Sequence, residues 1–167
     1  MRRRITLREL ALFAVLGTLC FLGKVILAPL PNIEPVSLFV MLFAVTFGWK
    51  ALYPIYTYVL LECVVYPVHL WSVCYLYVWL VLAAAAMALR PCRSPLAWAL
   101  LSGAFGLLFG ALCAPVYLFA GGWAYGLAWW ISGIPFDLLH GAGNFLIALA
   151  LFRPLERLLA RLYRGPQ

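Results

Sequence analysis

A short polar motif near the C-terminal end of the chain holds the residue types best suited to bind a ligand or exchange a proton. Asp137 and His140 lie three residues apart, and Gly141 and Asn144 follow on the same helical face. Pro135 suits the first turn of a helix, because the N–H that proline lacks would be unpaired there. Asp137 would then lie where the helix dipole favours an anion. We therefore expect a helix that begins near Pro135 and forms one wall of a pocket.

Composition defines the setting of this motif. Hydrophobic residues make up 67% of the 167 residues and charged residues 10%, far from the usage of soluble domains. The sequence predicts an all-α integral membrane protein, folded as one compact bundle. Its five cysteines have no C-x-x-C spacing and its acidic residues number only five, so no metal site is indicated. We expect neither catalytic residues nor a cofactor in this chain.

Apolar stretches separated by proline, glycine and charged residues predict six transmembrane helices in a single domain, 1–167. The first stretch follows Arg2, Arg3, Arg4 and Arg8 and lacks a small-residue cleavage site, so we expect a membrane helix rather than a secretory signal. Between the last two spans, the aromatic segment 123–134 is expected to form a loop with a short interfacial helix. The predicted spans are residues 8–28, 36–48, 51–66, 70–89, 94–119 and 135–152, followed by a basic amphipathic tail, 153–167.

The basic residues orient this bundle. If both termini are cytoplasmic, eleven of the twelve lysines and arginines lie in cytoplasmic segments, and Lys24 is the exception. Topology thus accounts for the net charge of +7, and we expect a multi-pass protein of the plasma membrane with no nucleic-acid partner.

In that orientation the remaining ionisable side chains converge on the outer end of the bundle, among aromatic residues. Ionisable groups within a bilayer are costly unless they pair or face a wet cavity, so we treat them as functional candidates. Flat aromatic walls with a few carboxylates suit a planar ligand that is cationic or rich in hydrogen-bond donors. The predicted substrate-binding residues are Asn32, Glu34, Glu62, Tyr66, His69, Trp71, Tyr75, Trp130, Asp137, His140 and Asn144.

Several of these residues also have structural interpretations. Glu62 could pair with His69 or Lys24 simply to satisfy its burial, and the aromatic residues could form an interfacial belt. Asn144 could line the pocket or form a hydrogen bond between helices. The small residues of the predicted fifth helix, which include a G-x-x-x-G motif, could pack internally or dock another subunit.

The motif Pro135-Phe136-Asp137-Leu138-Leu139-His140-Gly141, together with the six-span plan and the proline-rich first outer loop, resembles the substrate-binding S component of an energy-coupling factor (ECF) vitamin transporter. Position 140 is His where the riboflavin-type motif has Lys, and position 137 is Asp where that motif has Asn. The resemblance therefore leaves the substrate open.

The resemblance implies an outward-facing pocket for a vitamin-like small molecule, roofed by the loop between the first two helices. It also implies a prokaryotic plasma membrane and three partner chains: a membrane scaffold (T) subunit and two ATPases, which use the ATP. Docking on the scaffold would involve small residues of the first helix, Ala11, Ala14 and Thr18.

Two other classes of function remain open at this point. A small proton-linked exporter could use one of the membrane carboxylates. A membrane enzyme could use Asp137, His140 and Glu62 as acid and base, although neither a serine elbow nor a metal-ligand cluster accompanies them.

Overall fold

The computed structural model of the chain describes residues 5–30 and 32–164, with the side chain of Arg164 left out. Arg2, Arg3, Arg4 and Pro31 lie outside the described residues, as does the end of the predicted tail. Within the described ranges all regular structure is helical, which confirms the all-α prediction. The helices are α1 (Leu7–Leu27), α2 (Val36–Phe47), α3 (Leu52–Val65), α4 (Leu70–Tyr75), α5 (Val78–Ala88) and α6 (Pro95–Arg164), with a 3-10 turn at Gly48–Ala51.

Helix α1 begins at a capping box. The backbone N–H of Glu9 donates to the Thr6 hydroxyl oxygen (3.2 Å), and the N–H of Thr6 donates to the Glu9 carboxylate (3.0 Å). Phe13, Gly17 and Cys20 are buried at spacings of three and four residues, whereas the opposite face is apolar and exposed. A helix that is apolar on both faces is typical of a membrane-embedded bundle.

The chain reverses direction between α1 and α2, and again between α2 and α3. Near one end of the bundle a Cβ on Gly23 would lie 2.9 Å from Pro35, and near the other end the rings of Phe13 and Phe47 are 5.1 Å apart. These contacts make α1 and α2 antiparallel. Gly48, with φ of 60°, then turns the chain into α3. Helix α3 runs parallel to α1, because the ring of Phe13 lies 5.9 Å from that of Tyr53 and the ring of Phe21 lies 6.3 Å from that of Tyr66.

The predicted span 70–89 is divided in the structure. Helix α4 ends at Tyr75 and α5 begins at Val78. At this break the Tyr56 hydroxyl donates to the carbonyl oxygen of Leu76 (2.6 Å), and the Tyr77 hydroxyl donates to that of Leu112 (2.5 Å). These two hydrogen bonds connect the break between α4 and α5 to α3 and to α6, and they hold it in place.

Helix α6 folds back on itself at Gly122, whose φ of 83° is a left-handed conformation that glycine adopts readily. We call residues 95–121 its first arm and 123–164 its second arm. The rings of Trp98 and Phe152 stack at 4.2 Å far from the turn, and those of Tyr117 and Trp129 stack at 3.8 Å near it. The arms are therefore antiparallel neighbours.

This hairpin corrects the prediction for the segment 123–134. It is helical rather than a loop, and Pro135 lies inside the second arm instead of starting a helix. The stacking of Trp129 on Tyr117 and the packing of Gly126 against Leu118 extend the helix pair up to Gly122. Proline inside a membrane helix is tolerated where neighbouring groups compensate for its missing hydrogen bond.

Among the residues that the structure describes, four helical stretches are long and apolar enough to cross a membrane: Leu7–Leu27, Val36–Val65, Leu70–Ala88 and Pro95–Tyr163. Two of them contain the reversals at Gly48 and Gly122. The start of α1 and the end of α6 meet at one end of the bundle, where Glu9 accepts hydrogen bonds from Lys50 (2.6 Å) and the Tyr163 hydroxyl (2.7 Å). The described fold is thus a bundle of long apolar helices compatible with a membrane.

Candidate binding site

A cavity of about 680 Å³ lies at the opposite end of the bundle from Glu9 and Tyr163. This volume falls within the usual range for small-molecule sites, about 300–1,000 Å³. Its wall comes from the ends of α1 and α3, the connection between α1 and α2, helix α4 and both arms of α6. Nine of the predicted substrate-binding residues line it: Asn32, Glu34, Glu62, Tyr66, His69, Trp71, Tyr75, Asp137 and His140.

The other two predicted residues lie elsewhere. Trp130 is not part of the cavity wall, and Trp129 takes that place. Side chains of consecutive residues in a helix point about 100° apart, so the prediction of Trp130 instead of Trp129, an error of one residue, selected a different face of the helix. Asn144 is buried and its side-chain amide donates to the Ser37 hydroxyl (2.9 Å), which makes it a bond between α6 and α2.

Asp137 is held by a close approach between the two arms of α6. Its carboxylate oxygens accept from the backbone N–H of Gly110 at 3.1 and 3.2 Å. A Cβ at position 110 would lie 2.4 Å from the Asp137 carboxylate, so only glycine lets this contact form. One turn further along, His140 packs edge-on against Phe109, with ring centroids 5.0 Å apart. These contacts fix the Asp137 carboxylate and the His140 imidazole in the cavity wall.

Lys24 also lines the cavity, although in the sequence it stood out only as the exception among the basic residues and as one of two partners considered for Glu62. Its ammonium nitrogen lies 2.6 Å from Glu62 Oε2 and 3.4 Å from the Tyr75 hydroxyl. It also lies over the rings of Tyr66 and Tyr75, at 5.7 and 5.3 Å from their centroids. In the predicted topology Lys24 is the basic residue outside the cytoplasmic segments, and this exception is the sequence signal that could have added it to the candidate wall. Of the partners considered for Glu62, the structure provides Lys24.

Glu34 belongs to the connection between α1 and α2 and reaches the wall formed by the second arm. Its Oε1 lies 3.6 Å from His140 Nε2. Burial raises the pKa of Glu34 to about 7, and the nearby Lys24 ammonium opposes that rise. The folded chain keeps this proton up to about pH 7, whereas an unfolded chain releases it near pH 4.5. The free energy of unfolding therefore falls as the pH rises from 4.5 towards 7. A bound cation would offset this effect.

The remaining wall is aromatic and is fixed by α4. His69 caps that helix, with its Nδ1 accepting from the backbone N–H of Trp71 (3.1 Å). The ring of Trp71 stacks on Phe109 at 5.6 Å and meets Trp129 edge-on at 5.7 Å. The rings on which a planar ligand would stack are therefore already fixed by their contacts with one another.

The other predicted features have distinct positions. Ala11, Ala14 and Thr18 are exposed on the outer face of α1, away from its buried face. The G-x-x-x-G motif of the first arm packs internally, since a Cβ on Gly106 would lie 2.8 Å from the backbone of Gly141. Within residues 5–30 and 32–164, no group of three His, Cys, Asp or Glu side chains could hold a metal ion.

Comparisons with known protein families, with curated protein sequences and with solved structures find no match for this chain. The function is therefore argued from the cavity. Its carboxylates, imidazole and aromatic rings can receive hydrogen-bond donors and stack on a planar group.

Proposed function

We propose that this chain is the substrate-specificity (S) component of an ECF-type ABC transporter and that it binds a vitamin-like planar micronutrient in the cavity. The observation that carries the proposal is the convergence of Glu34, Glu62, Asp137 and His140 on one aromatic cavity. Buried ionisable groups in a membrane protein are retained where they serve a ligand or ion. A binding subunit needs such a cavity and needs no nucleotide motif of its own.

The proposal includes a topology of six membrane crossings with both termini in the cytoplasm of a prokaryotic cell. The reversals at Gly48 and Gly122 support it, because they divide the two longest apolar stretches. The described basic residues support the orientation as well: Lys50, Arg90 and Arg153 lie towards the end of the bundle opposite the cavity. The cavity would then open to the outside.

Energy for uptake would come from a membrane scaffold subunit and two ATPases. The exposed small residues Ala11, Ala14 and Thr18 allow another helix to approach α1 closely, which supports docking there. The Thr18 hydroxyl donates to the carbonyl oxygen of Ala14 (2.9 Å), so it presents no unpaired donor to a lipid or a partner helix. The Gly106 and Gly110 pair is used inside the chain and is not proposed for docking.

The binding function is tested by native mass spectrometry of the chain purified in mild detergent. We expect a discrete heteroaromatic adduct carried from the host membrane or acquired from a panel of vitamins. Asp137→Ala and His140→Ala should each weaken its binding at least about tenfold, the scale of one lost charge-assisted hydrogen bond.

The matched control is Glu156→Ala, which removes a carboxylate that pairs with Arg153 at the far end of the bundle. It should leave the adduct unchanged. A chain that stays free of ligand throughout the vitamin panel would contradict the proposal. An adduct that is insensitive to both cavity variants would place the binding elsewhere.

A further inference from the structure

Two buried polar atoms in the cavity wall lack a hydrogen-bond partner among the described residues. They are Glu62 Oε1 and His140 Nε2, on side chains that are 8% and 5% exposed as whole residues. The nearest acid, Glu34, lies 3.6 Å from His140 Nε2, too far for a hydrogen bond. Leaving a buried polar atom unpaired costs about 1–3 kcal/mol, so these atoms point to a ligand that supplies the missing partners.

The charges of the wall restrict what that ligand can be. Three carboxylates, Glu34, Glu62 and Asp137, face one ammonium group among the described wall residues, that of Lys24. The Lys24 ammonium already gives two of its three N–H donors to Glu62 (2.6 Å) and to the Tyr75 hydroxyl (3.4 Å). An anionic ligand would have at most the third donor of Lys24 and would lie beside the carboxyl groups of the wall, whereas a cation would be attracted by them and would favour the ionised form of Glu34.

The aromatic residues of the wall favour the same charge. Tyr66 and Tyr75 already hold the Lys24 ammonium 5.7 and 5.3 Å from their ring centroids. Trp71 and Trp129 line the same wall. Aromatic faces attract cations through their quadrupole, most strongly where water is excluded.

On the basis of the proposed binding function, we infer that the ligand is a planar nitrogen heterocycle that carries a positive charge or an exocyclic amine. Its N–H groups donate to Glu62 Oε1 and to Glu34, and neutral His140 accepts a further N–H at Nε2. Its ring lies against Trp71 and Trp129. The excess of carboxyl groups over the single Lys24 ammonium in the described wall disfavours micronutrients that carry a carboxylate or phosphate.

The test is a binding series in which the charge of the ligand changes while the ring stays nearly the same. The probes are 1-methylnicotinamide, nicotinamide and nicotinate, then pyridoxamine, pyridoxine and 4-pyridoxate, with thiamine as a larger cation. Binding to the purified full chain is followed by tryptophan fluorescence and calorimetry. We expect at least one cationic or amine-bearing member to bind, at least tenfold more tightly than the acid of its series, where it has one.

Two variants test whether Glu62 and Glu34 cause the preference for a positively charged or amine-bearing ligand. Glu62→Gln should lower the affinity for that probe about tenfold. Glu34→Gln, which leaves the Lys24–Glu62 pair intact, should do the same without the risk of misfolding that an unpaired Lys24 brings. Glu156→Gln, at the far end of the bundle, should change nothing.

The outcomes separate this inference from the proposed function. Tightest binding of an acid, or equal affinity across a charge series, would overturn the inference and leave the binding function standing. Failure of every probe to bind would overturn the inference, and failure of the whole vitamin panel as well would contradict the proposed function.

Discussion

Replacing Lys24 with methionine should lower the free energy of unfolding by about 3 kcal/mol, the low end of what breaking a buried ion pair costs. Methionine fills the space of the lysine chain but leaves the 8%-exposed Glu62 without its 2.6 Å partner. The low end applies because the Lys24 side chain is 25% exposed, towards the cavity. Denaturation in mild detergent, followed by tryptophan fluorescence, measures the change.

The Lys24 result has two controls. Lys50→Met removes a lysine that also forms a 2.6 Å pair, but Glu9 keeps the Tyr163 hydroxyl and the Thr6 N–H as donors, so the loss should be smaller. Adding Glu62→Gln to Lys24→Met should recover part of the lost stability, because the uncompensated charge is removed. A loss equal to that of Lys50→Met, with no recovery in the double variant, would show that the pair is not buried.

Gly106→Ala should destabilise the chain by about 1–3 kcal/mol, the usual cost of overpacking. The new Cβ would lie 2.8 Å from the backbone of Gly141 and of His140, atoms that cannot move aside as a flexible side chain can. The two arms of α6 must separate, which also moves His140 in the cavity wall. We therefore expect ligand affinity to fall together with stability, as measured by denaturation and by the vitamin panel.

Gly133→Ala is the matched control on the second arm. A Cβ there meets nothing within 4 Å, and the residue is helical. Alanine is favoured over glycine inside a helix by up to about 1 kcal/mol, so this variant should be neutral or more stable. Destabilisation of similar size at positions 106 and 133 would contradict the close crossing of the arms.

The helical content and most residues of the cavity wall could be predicted from patterns within single segments of the sequence. Apolar runs broken by glycine and proline located most helix ends, and helical spacing placed Asp137 and His140 on one face, where the structure has them. The burial cost of charge in an apolar chain singled out Glu34 and Glu62 without knowledge of the packing. Each of these signals lies within one segment of the chain.

What could not be predicted depends on contacts between segments. Pro135 suggested a helix start, but the stacking of Trp129 on Tyr117 carries the helix back to Gly122. Because the helix continues through this segment, Trp129 faces the cavity and Trp130 does not. Trp129 precedes His140 by eleven residues, about three helical turns, so continuing the helical pattern backwards from His140 would have found it. The role of Asn144 was decided by Ser37, a partner 107 residues away.

The central claim is that the chain binds a micronutrient for a separate ATP-driven module. The most direct measurement is accumulation of a labelled vitamin panel by cells that express the chain with its own scaffold subunit and ATPases. We predict accumulation of one vitamin with all four chains, none with the chain alone, and none when the ATPases are catalytically inactive. Accumulation or efflux by the chain alone, driven by a proton gradient, would contradict the account.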